Sequence, residues 1–347
     1  MNVAKSISRT VRSIMLLVVG LAFSSGLANA QSLDIPSKHW GLSVGNSQDF
    51  TGLRFNFRDS GVVRVTGVNI TLCQPYKDDD NSIISGVSLG IIPGGGHLKG
   101  IQVGIAGVAG MKSITGITIA GLGMGSGSDL VGINIAGLGF GAGKNIKGLN
   151  IAGLGLGAGE NLYGVTIAGL GLGAGKDVRG INVAGLGIGG SGNMFGLNVG
   201  GVGAGAGKKM IGLNVGGIGL GAGETLGGIN IAGLAAGAGS LLAGLTVAGL
   251  GAGAPEVQGI TIAGGFVGGR TLMGLQVAGA MVHVVKDGSM VGCAVSPFNY
   301  IRGSQNGLSI GIVNYARSVK GLQLGLVNIV RDNPPGLKVL PIFNTGF

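Results

Sequence analysis

Residues 148–163 read GLNIAGLGLGAGENLY, and this sixteen-residue stretch is one copy of a unit that fills most of the chain. The leading glycine returns every sixteen residues at Gly100, Gly116, Gly132, Gly148, Gly164, Gly180, Gly196, Gly212, Gly228 and Gly244. Looser copies begin at Gly52, Gly67 and Gly86 before this block, and at Gly259, Gly274, Gly292, Gly307, Gly321 and Gly336 after it. A fixed period of this kind is typical of repeat architectures, in which each unit stacks on its neighbours.

The order of side chains within one unit predicts β-structure. Counted from the leading glycine, positions 2 and 4 are apolar and position 3 is polar, as in Leu149, Asn150 and Ile151. This alternation, with β-branched residues at position 4, predicts a strand. Positions 7 and 9 are apolar again, and a bend at positions 5 and 6 would turn both apolar pairs inward. Position 15 adds a third inward anchor, while glycine and polar residues at positions 12–14 predict an outer turn.

These patterns predict an all-β repeat protein, a β-solenoid with coils of about sixteen residues. Stacking in register would place like residues above one another, so that outward asparagines at position 3 hydrogen-bond along the stack. The alternative fold class is an outer-membrane β-barrel, because the chain ends in Phe347 on a strand-like segment. The solenoid is favoured for three reasons. Barrel strands alternate strictly, whereas these units change phase, and barrel loops alternate between short and long, whereas these turns are uniform. Barrels also carry aromatic girdles, whereas the aromatic content here is 4%.

A third architecture, helical membrane hairpins, is disfavoured by the same repeat. Residues 225–255 are uncharged and long enough to cross a bilayer as a helix. However, the sixteen-residue unit continues through this segment, and neighbouring copies carry charges at the same turn.

The first thirty residues are predicted to be a signal peptide. Three cations, Lys5, Arg9 and Arg12, precede a short apolar run, and Ala28 and Ala30 offer the small residues that a signal peptidase requires. We therefore divide the chain into a signal peptide (1–30), irregular N-terminal β-repeats (31–99), regular glycine-rich repeats (100–258) and irregular C-terminal repeats with a terminal phenylalanine (259–347). The expected location is exported, at the cell surface or outer membrane of a Gram-negative-type bacterium.

Composition excludes several other classes of protein. The 79 glycines follow no strict triplet, which excludes collagen, and a hydrophobic content of 45% with 10% charged residues disfavours disorder. Loss of the three signal-peptide cations lowers the formal charge from +10 to +7. No basic cluster is interleaved with aromatic residues, so nucleic acid is not an expected partner.

In a solenoid, Cys73 and Cys293 would lie on the order of 60 Å apart, which forbids a disulfide between them.

No residue is predicted to be catalytic, cofactor-binding or metal-binding, and no cofactor is expected. The GLGAG stretch at residues 155–159 resembles a dinucleotide loop, but it recurs in nearly every unit and is therefore coil geometry. The Gly-Lys pairs at Lys144, Lys176 and Lys208 lack the remaining residues of a phosphate loop. His39, His97 and His283 have no partner at metal-ligand spacing. The acidic run Asp78-Asp79-Asp80-Asn81 is interpreted as a solvated insertion.

The C-terminal units carry a resemblance to a known group of proteins. They read GLSIGIVNYARSVK from Gly307, GLQLGLVNIVRDNPP from Gly321 and then GLKVLPIFNTGF, and the central GLNIAGLGLGAG units look like a glycine-richer variant. This sequence resembles uncharacterised glycine-rich bacterial surface-repeat proteins over about residues 40–347. The resemblance implies a surface or envelope location, and it carries no catalytic or binding residues to this chain.

The function predicted from these observations is that of a non-enzymatic, exported structural or adhesive surface repeat protein. Expected partners are envelope components, surface glycans or other proteins, with association to the outer membrane. The alternative function, tied to the barrel alternative, is an outer-membrane pore or transport protein. A third hypothesis makes the Asn/Thr ladder at position 3 a flat face that binds ice or glycans.

Overall fold

The structure is a computed structural model that describes residues 32–73, 75 and 80–347, and all regular structure in that part of the chain is β. The predicted signal peptide lies outside the described residues. Among the residues described, no helix is long and apolar enough to cross a membrane. The chain divides into two compact units, one ending at Gly132 and the other beginning at Ile133.

The described residues of the first unit form eight strands and the beginning of a ninth. Their bounds are β1 (Ser32–Pro36), β2 (Trp40–Gly45), β3 (Asp49–Arg58), β4 (Arg64–Cys73), β5 (Ile83–Gly90), β6 (Gly94–Gly104), β7 (Gly107–Ala120), β8 (Gly123–Ser126) and β9 (Asp129–Ala136).

The second unit alternates strands of seven or eight residues with strands of three or four until β26, and longer strands follow. Their bounds are β10 (Gly139–Ala142), β11 (Ile146–Ala152), β12 (Gly155–Ala158), β13 (Leu162–Ala168), β14 (Gly171–Ala174), β15 (Val178–Ala184), β16 (Gly187–Gly190), β17 (Met194–Gly200), β18 (Gly203–Ala206), β19 (Lys209–Gly216), β20 (Gly219–Ala222), β21 (Thr225–Ala232), β22 (Ala235–Ala238), β23 (Leu241–Ala248), β24 (Gly251–Gly253), β25 (Glu256–Ala263), β26 (Phe266–Ala278), β27 (Met281–Val295), β28 (Phe298–Ile310), β29 (Val313–Val330) and β30 (Val339–Asn344).

The strands pair in parallel with the equivalent strand one coil later. Strand β11 pairs with β13 and β13 with β15, always with leading glycine opposite leading glycine. The short strands form their own parallel ladder, in which β12 pairs with β14 and β14 with β16. A barrel would instead pair each strand antiparallel with the next along the chain. The predicted β-solenoid is therefore confirmed, and the barrel alternative is wrong.

The leading glycine explains why the repeat is so regular. Its φ is positive in every coil, for example 113° at Gly148 and 118° at Gly180. A Cβ on Gly180 would lie 2.0 Å from the carbonyl oxygen of Gly164, the leading glycine of the preceding coil. Only glycine satisfies both conditions, because other residues are strained at this φ and their Cβ would overlap backbone. The same geometry at Gly41, which pairs with Gly52, reveals a further coil that the repeat analysis did not include.

The inward face differs from the sequence expectation at several positions of the unit. In the coil that begins at Gly148, the buried side chains are Asn150, Ala152, Leu156, Ala158 and Leu162. Positions 9 and 15 face inward as expected, but the inward placement of positions 2, 4 and 7 and the outward placement of position 3 were wrong. Position 15 explains this result, because Ile146 at position 15 and Asn150 at position 3 are four residues apart in one strand, and a two-residue alternation puts both on the inward face.

A buried ladder of amides compensates for the polar interior. The Nδ2 of Asn182 donates to the Oδ1 of Asn198 at 3.1 Å, and Asn198 donates onward to Asn214 at 3.0 Å. These asparagines repeat at the spacing of the coils, so the amides of Asn182 and Asn198 each donate to the next asparagine of the stack. The hydrogen-bonded ladder is confirmed, but it lies inside the coils, and the hypothesis of a flat ligand-binding Asn/Thr face is therefore wrong.

Replacement of Asn198 by alanine should destabilise the second unit by about 2–5 kcal/mol. The change leaves the Asn182 amide without an acceptor and the Asn214 carbonyl oxygen without a donor, at about 1–3 kcal/mol for each buried group. Urea unfolding followed by circular dichroism measures the loss. Asn198→Thr is the matched control, because Thr166 and Thr246 occupy the same buried position, and it should cost clearly less. Equal losses in the two variants would contradict the ladder as a source of stability.

An antiparallel strand covers the last parallel strand at the N-terminal end of the first unit and at the C-terminal end of the second unit. Strand β1 pairs antiparallel with β2, and β30 turns back to pair antiparallel with β29. Gly336 therefore opens no new coil, contrary to the repeat analysis. It lies in the turn between β29 and β30, where a Cβ would meet nothing within 4 Å. Such caps cover sheet edges that would otherwise pair with other chains.

Candidate functional site

The outer surface of the second unit is apolar over nine consecutive coils, from residue 133 to residue 273. Because position 3 faces inward, its neighbours at positions 2 and 4 face outward, and position 7 lies at a corner. We call the outward side chains at positions 2, 4 and 7 of these coils the apolar face. Its most exposed members are Ile133, Leu138, Leu154, Ile167, Leu170, Ile181, Leu186, Val202, Leu213, Ile218, Ile229, Ile231, Leu234, Leu245, Val247, Leu250, Ile260 and Ile262.

Charged residues are kept off the apolar face. Every Asp, Glu, Lys and Arg between residues 133 and 273 lies at positions 12–16 of its coil, which we call the charged rim. Leu186, by contrast, is 51% exposed on an uncharged surface. Single exposed leucines need no explanation, but an apolar surface repeated over nine coils exceeds what monomeric proteins usually leave open to water.

The charged rim carries both signs of charge. Lys144, Glu160 and Lys176 follow one another at position 13, and the Nζ of Lys176 lies 3.0 Å from the Oε2 of Glu160. Asp177 accepts a hydrogen bond from the backbone N–H of Asn193, which is the main cause of its lowered pKa. Burial opposes that shift, and the nearby Arg179 guanidinium at 2.8 Å supports it. The rim is therefore polar and locally neutralised rather than a uniform basic strip.

A buried polar network occupies the N-terminal coils of the first unit. The Nη1 of Arg54 lies 2.8 Å from the Oδ1 of Asp59, with both side chains almost wholly buried. Arg54 also donates to the side-chain oxygens of Asn69 and Asn46, each at 3.0 Å. Arg54 stands at position 3, where most other coils have asparagine, threonine, serine or glutamine. In this coil an ion pair therefore takes the place of the amide ladder, and the role of Arg54 and Asp59 is structural.

Asp34 in the β1 cap is held in its ionised form by hydroxyl groups. Burial opposes the charge, but hydrogen bonds from the Ser43, Ser47 and Ser32 hydroxyls outweigh it and lower the pKa of Asp34. Ser47 donates to Oδ1 at 2.6 Å, and Ser32 donates to Oδ2 at 2.8 Å. These bonds tie the cap to the coil beneath it.

The residues weighed as site candidates from sequence do not come together. His97 bonds the Ser113 hydroxyl through Nδ1 at 2.7 Å, and His283 packs against Tyr300 with ring centroids 5.5 Å apart. Asp78 and Asp79 lie outside the described residues, while Asn81 accepts a hydrogen bond from Lys112. Within the described part of the chain, no three His, Cys, Asp or Glu side chains are grouped as metal ligands would be. Cys73 and Cys293 are both free.

Comparison with known proteins adds no assignment. No family model, no curated protein and no solved structure matches this chain. The apolar face is thus the candidate functional site that the geometry itself provides. The hydrophobicity of these side chains predicted that they lie in the core, and the residue that places them outside is the buried polar residue at position 3.

Proposed function

We propose that the chain is a non-enzymatic structural protein, exported to the bacterial surface, that assembles with a second copy of itself through the apolar face. The observation that carries this proposal is the run of nine coils with no charge at positions 1–11 and with exposed aliphatic side chains at positions 2, 4 and 7. An exposed apolar surface bordered by polar residues is a common mark of a protein interface. The repeat resemblance and the residues 1–30 support the surface location.

The size of the apolar face suits a self-association interface. Nine coils stacked at about 4.8 Å extend over roughly 40 Å, and the chain from position 2 to the corner at position 7 extends over at most roughly 20 Å at about 3.3 Å per residue. Their product is on the order of 800 Å² per partner, which is what a stable interface of standard size buries on each side. A two-fold pair would bring the same surface of each copy together.

The charged rim favours a second copy over a membrane surface as the occupant. Binding to anionic lipid uses a polar face rich in Lys and Arg. Glu160 instead stands between Lys144 and Lys176, and Glu224 and Glu256 follow at the same position of later coils. A rim of mixed sign can be matched by the same rim on a two-fold partner.

Three lysine substitutions within the apolar face should abolish this association. We expect the full chain without its signal peptide to sediment as a dimer or larger assembly, and the variant Ile167→Lys/Ile181→Lys/Leu186→Lys to sediment as a monomer at the same concentration. The three side chains are 42%, 44% and 51% exposed, so lysine can be solvated there without entering the core. A triple rim variant, Lys144→Gln/Lys208→Gln/Lys209→Gln, is the matched control and should still associate.

Two results would refute the assembly, and two others would refute the location. The assembly fails if the unmodified chain is monomeric at micromolar concentration, or if the lysine variant associates as well as the control. The location fails if protease added to intact cells leaves the chain uncut, or if the mature chain retains residues 1–30.

A further inference from the structure

A column of cations lies at one corner of the last coils of the second unit. Arg302 and Arg317 occupy equivalent places in β28 and β29, each directly after the paired residues Ile301 and Ala316. The next turn continues this column, since the backbone N–H of Arg331 donates to the Ala316 carbonyl at 3.0 Å. Adjacent coils are about 4.8 Å apart, so these guanidinium groups follow one another along the stack.

The cations line a cleft of about 390 Å³ together with two carboxylates and a tyrosine. Lys286 and Asp287 come from the insertion that lengthens the coil of β27, and Asp332 follows Arg331. Arg317 is paired, with Nη1 3.0 Å from the Oδ1 of Asp287 and Nε 3.6 Å from the Oδ2 of Asp332. Within the described residues, no carboxylate forms an ion pair with Lys286, Arg302 or Arg331, so the cleft retains positive charge.

An aromatic column borders the cations on the same outer surface. His283, Tyr300 and Tyr315 are paired across β27, β28 and β29. The rings of Tyr300 and Tyr315 are 5.1 Å apart, and the guanidinium of Arg302 lies 5.9 Å from the centre of the Tyr300 ring. Each tyrosine precedes its arginine by two residues, which puts both side chains on one face of the strand. The Nδ1 of His283 is buried and has no hydrogen-bond partner.

We infer that this cleft binds an acidic polysaccharide, with the sugar chain running along the stack of coils. Aromatic rings suit the apolar faces of sugar rings, and arginine forms charge-assisted, bidentate hydrogen bonds with carboxylate, sulfate or phosphate groups. The carboxylates of Asp287 and Asp332 are placed to accept hydrogen bonds from sugar hydroxyls. An extended polysaccharide advances by about one coil spacing per ring, so successive sugars meet successive coils.

The cleft fits a polysaccharide better than a nucleic acid. Nucleic-acid binding sites present an unbroken basic strip, because every nucleotide carries a phosphate. Here two carboxylates stand among four cations, so the basic strip is broken. An acidic polysaccharide, even one with a charge on every ring, also carries free hydroxyl groups on each ring that can donate hydrogen bonds to these carboxylates, whereas the backbone of single-stranded DNA has no free hydroxyl groups. The inference does not depend on self-association, since the cleft lies outside the coils of the apolar face.

Titration calorimetry of the full chain with polygalacturonate, a linear uronic-acid polymer, tests the inference. We expect binding that weakens with added salt and no binding to neutral dextran. The double variant Arg302→Gln/Arg331→Gln should bind polygalacturonate about tenfold or more weakly, since each arginine supplies charge-assisted hydrogen bonds. Lys208→Gln/Lys209→Gln removes the same charge from the charged rim and should bind as the unmodified chain does.

Hydrogen exchange on the unmodified chain provides a second measurement that needs no variant. Polygalacturonate should slow exchange in residues 283–332 and leave residues 133–273 unchanged. The inference is overturned if polygalacturonate does not bind, if the two double variants lose affinity equally, if protection appears only elsewhere, or if single-stranded DNA binds the cleft more tightly than polygalacturonate.

Discussion

Gly196→Ala should destabilise the second unit by more than about 4 kcal/mol, the range that marks disruption of a buried or strained position. Gly196 is a leading glycine with φ of 113°, and a Cβ there would lie 2.2 Å from the Gly180 carbonyl oxygen. That oxygen is backbone fixed between coils, so the clash cannot be relieved by moving a flexible side chain. Urea unfolding by circular dichroism gives the size of the loss, and hydrogen exchange should show opening around residues 180–212.

Gly189→Ala is the matched control for this substitution. Gly189 lies in β16 of the preceding coil, and a Cβ there would meet nothing within 4 Å. Alanine should be neutral at this site or stabilise the fold by up to about 1 kcal/mol, because it reduces the freedom of the unfolded chain. Comparable losses at the two glycines would show that general glycine content, rather than the positive φ and the close contact, supports the solenoid.

Asp59→Asn should destabilise the first unit by about 3–5 kcal/mol, the cost of leaving one partner of a buried ion pair uncompensated. The substituted amide can no longer neutralise Arg54, whose side chain is fully buried and whose Nη1 lies 2.8 Å from the carboxylate. Trp40 is the sole tryptophan and pairs with Thr51 of β3, so its fluorescence during urea unfolding reports on these coils.

Two further variants separate the buried charge from the general effect of losing an ion pair. Glu160→Gln removes the exposed pair with Lys176 and should cost at most about 1 kcal/mol, since solvent screens it. Adding Arg54→Leu to Asp59→Asn removes the stranded cation and should restore part of the lost stability. If the double variant Arg54→Leu/Asp59→Asn were less stable than Asp59→Asn alone, the stranded charge of Arg54 would not be the cause of the loss.

The apolar face and the cationic cleft carry the two separate interactions that we propose for the second unit. The first uses repeated aliphatic side chains that carry no charge, and the second uses cations, carboxylates and aromatic rings in the last coils. Because the lysine substitutions and the arginine substitutions touch different coils, each interaction can be removed while the other is measured. A protein that has both would combine self-assembly with attachment to an acidic polysaccharide.

The coil period, the strand content and the leading glycines from Gly52 to Gly321 were predictable from sequence, although Gly41 was missed and Gly336 opens no coil. Glycine is required wherever φ is positive and a neighbouring backbone lies within contact distance, as at Gly164 and Gly292. This structural requirement is therefore visible in the sequence as a recurring glycine. The anchors at positions 9 and 15 were also predictable, since large apolar residues such as Leu156 and Leu162 recur there. The cationic cleft left a weaker signal, namely the cations Lys286, Arg302, Arg317 and Arg331, which recur at about one per coil.

What the sequence alone determined is therefore a stack of sixteen-residue β-coils, and what only the tertiary structure decided is which side of each strand faces inward. Hydrophobicity favoured an interior with Leu149 and Ile151, yet the structure buries Asn150 between them. An isolated strand gains nothing from burying an amide. Stacked coils repeat that amide at a spacing where Nδ2 reaches the next Oδ1, as from Asn134 to Asn150 at 2.9 Å. The hydrogen bonds that offset burial exist only between coils, and they turn the aliphatic side chains outward to form the apolar face.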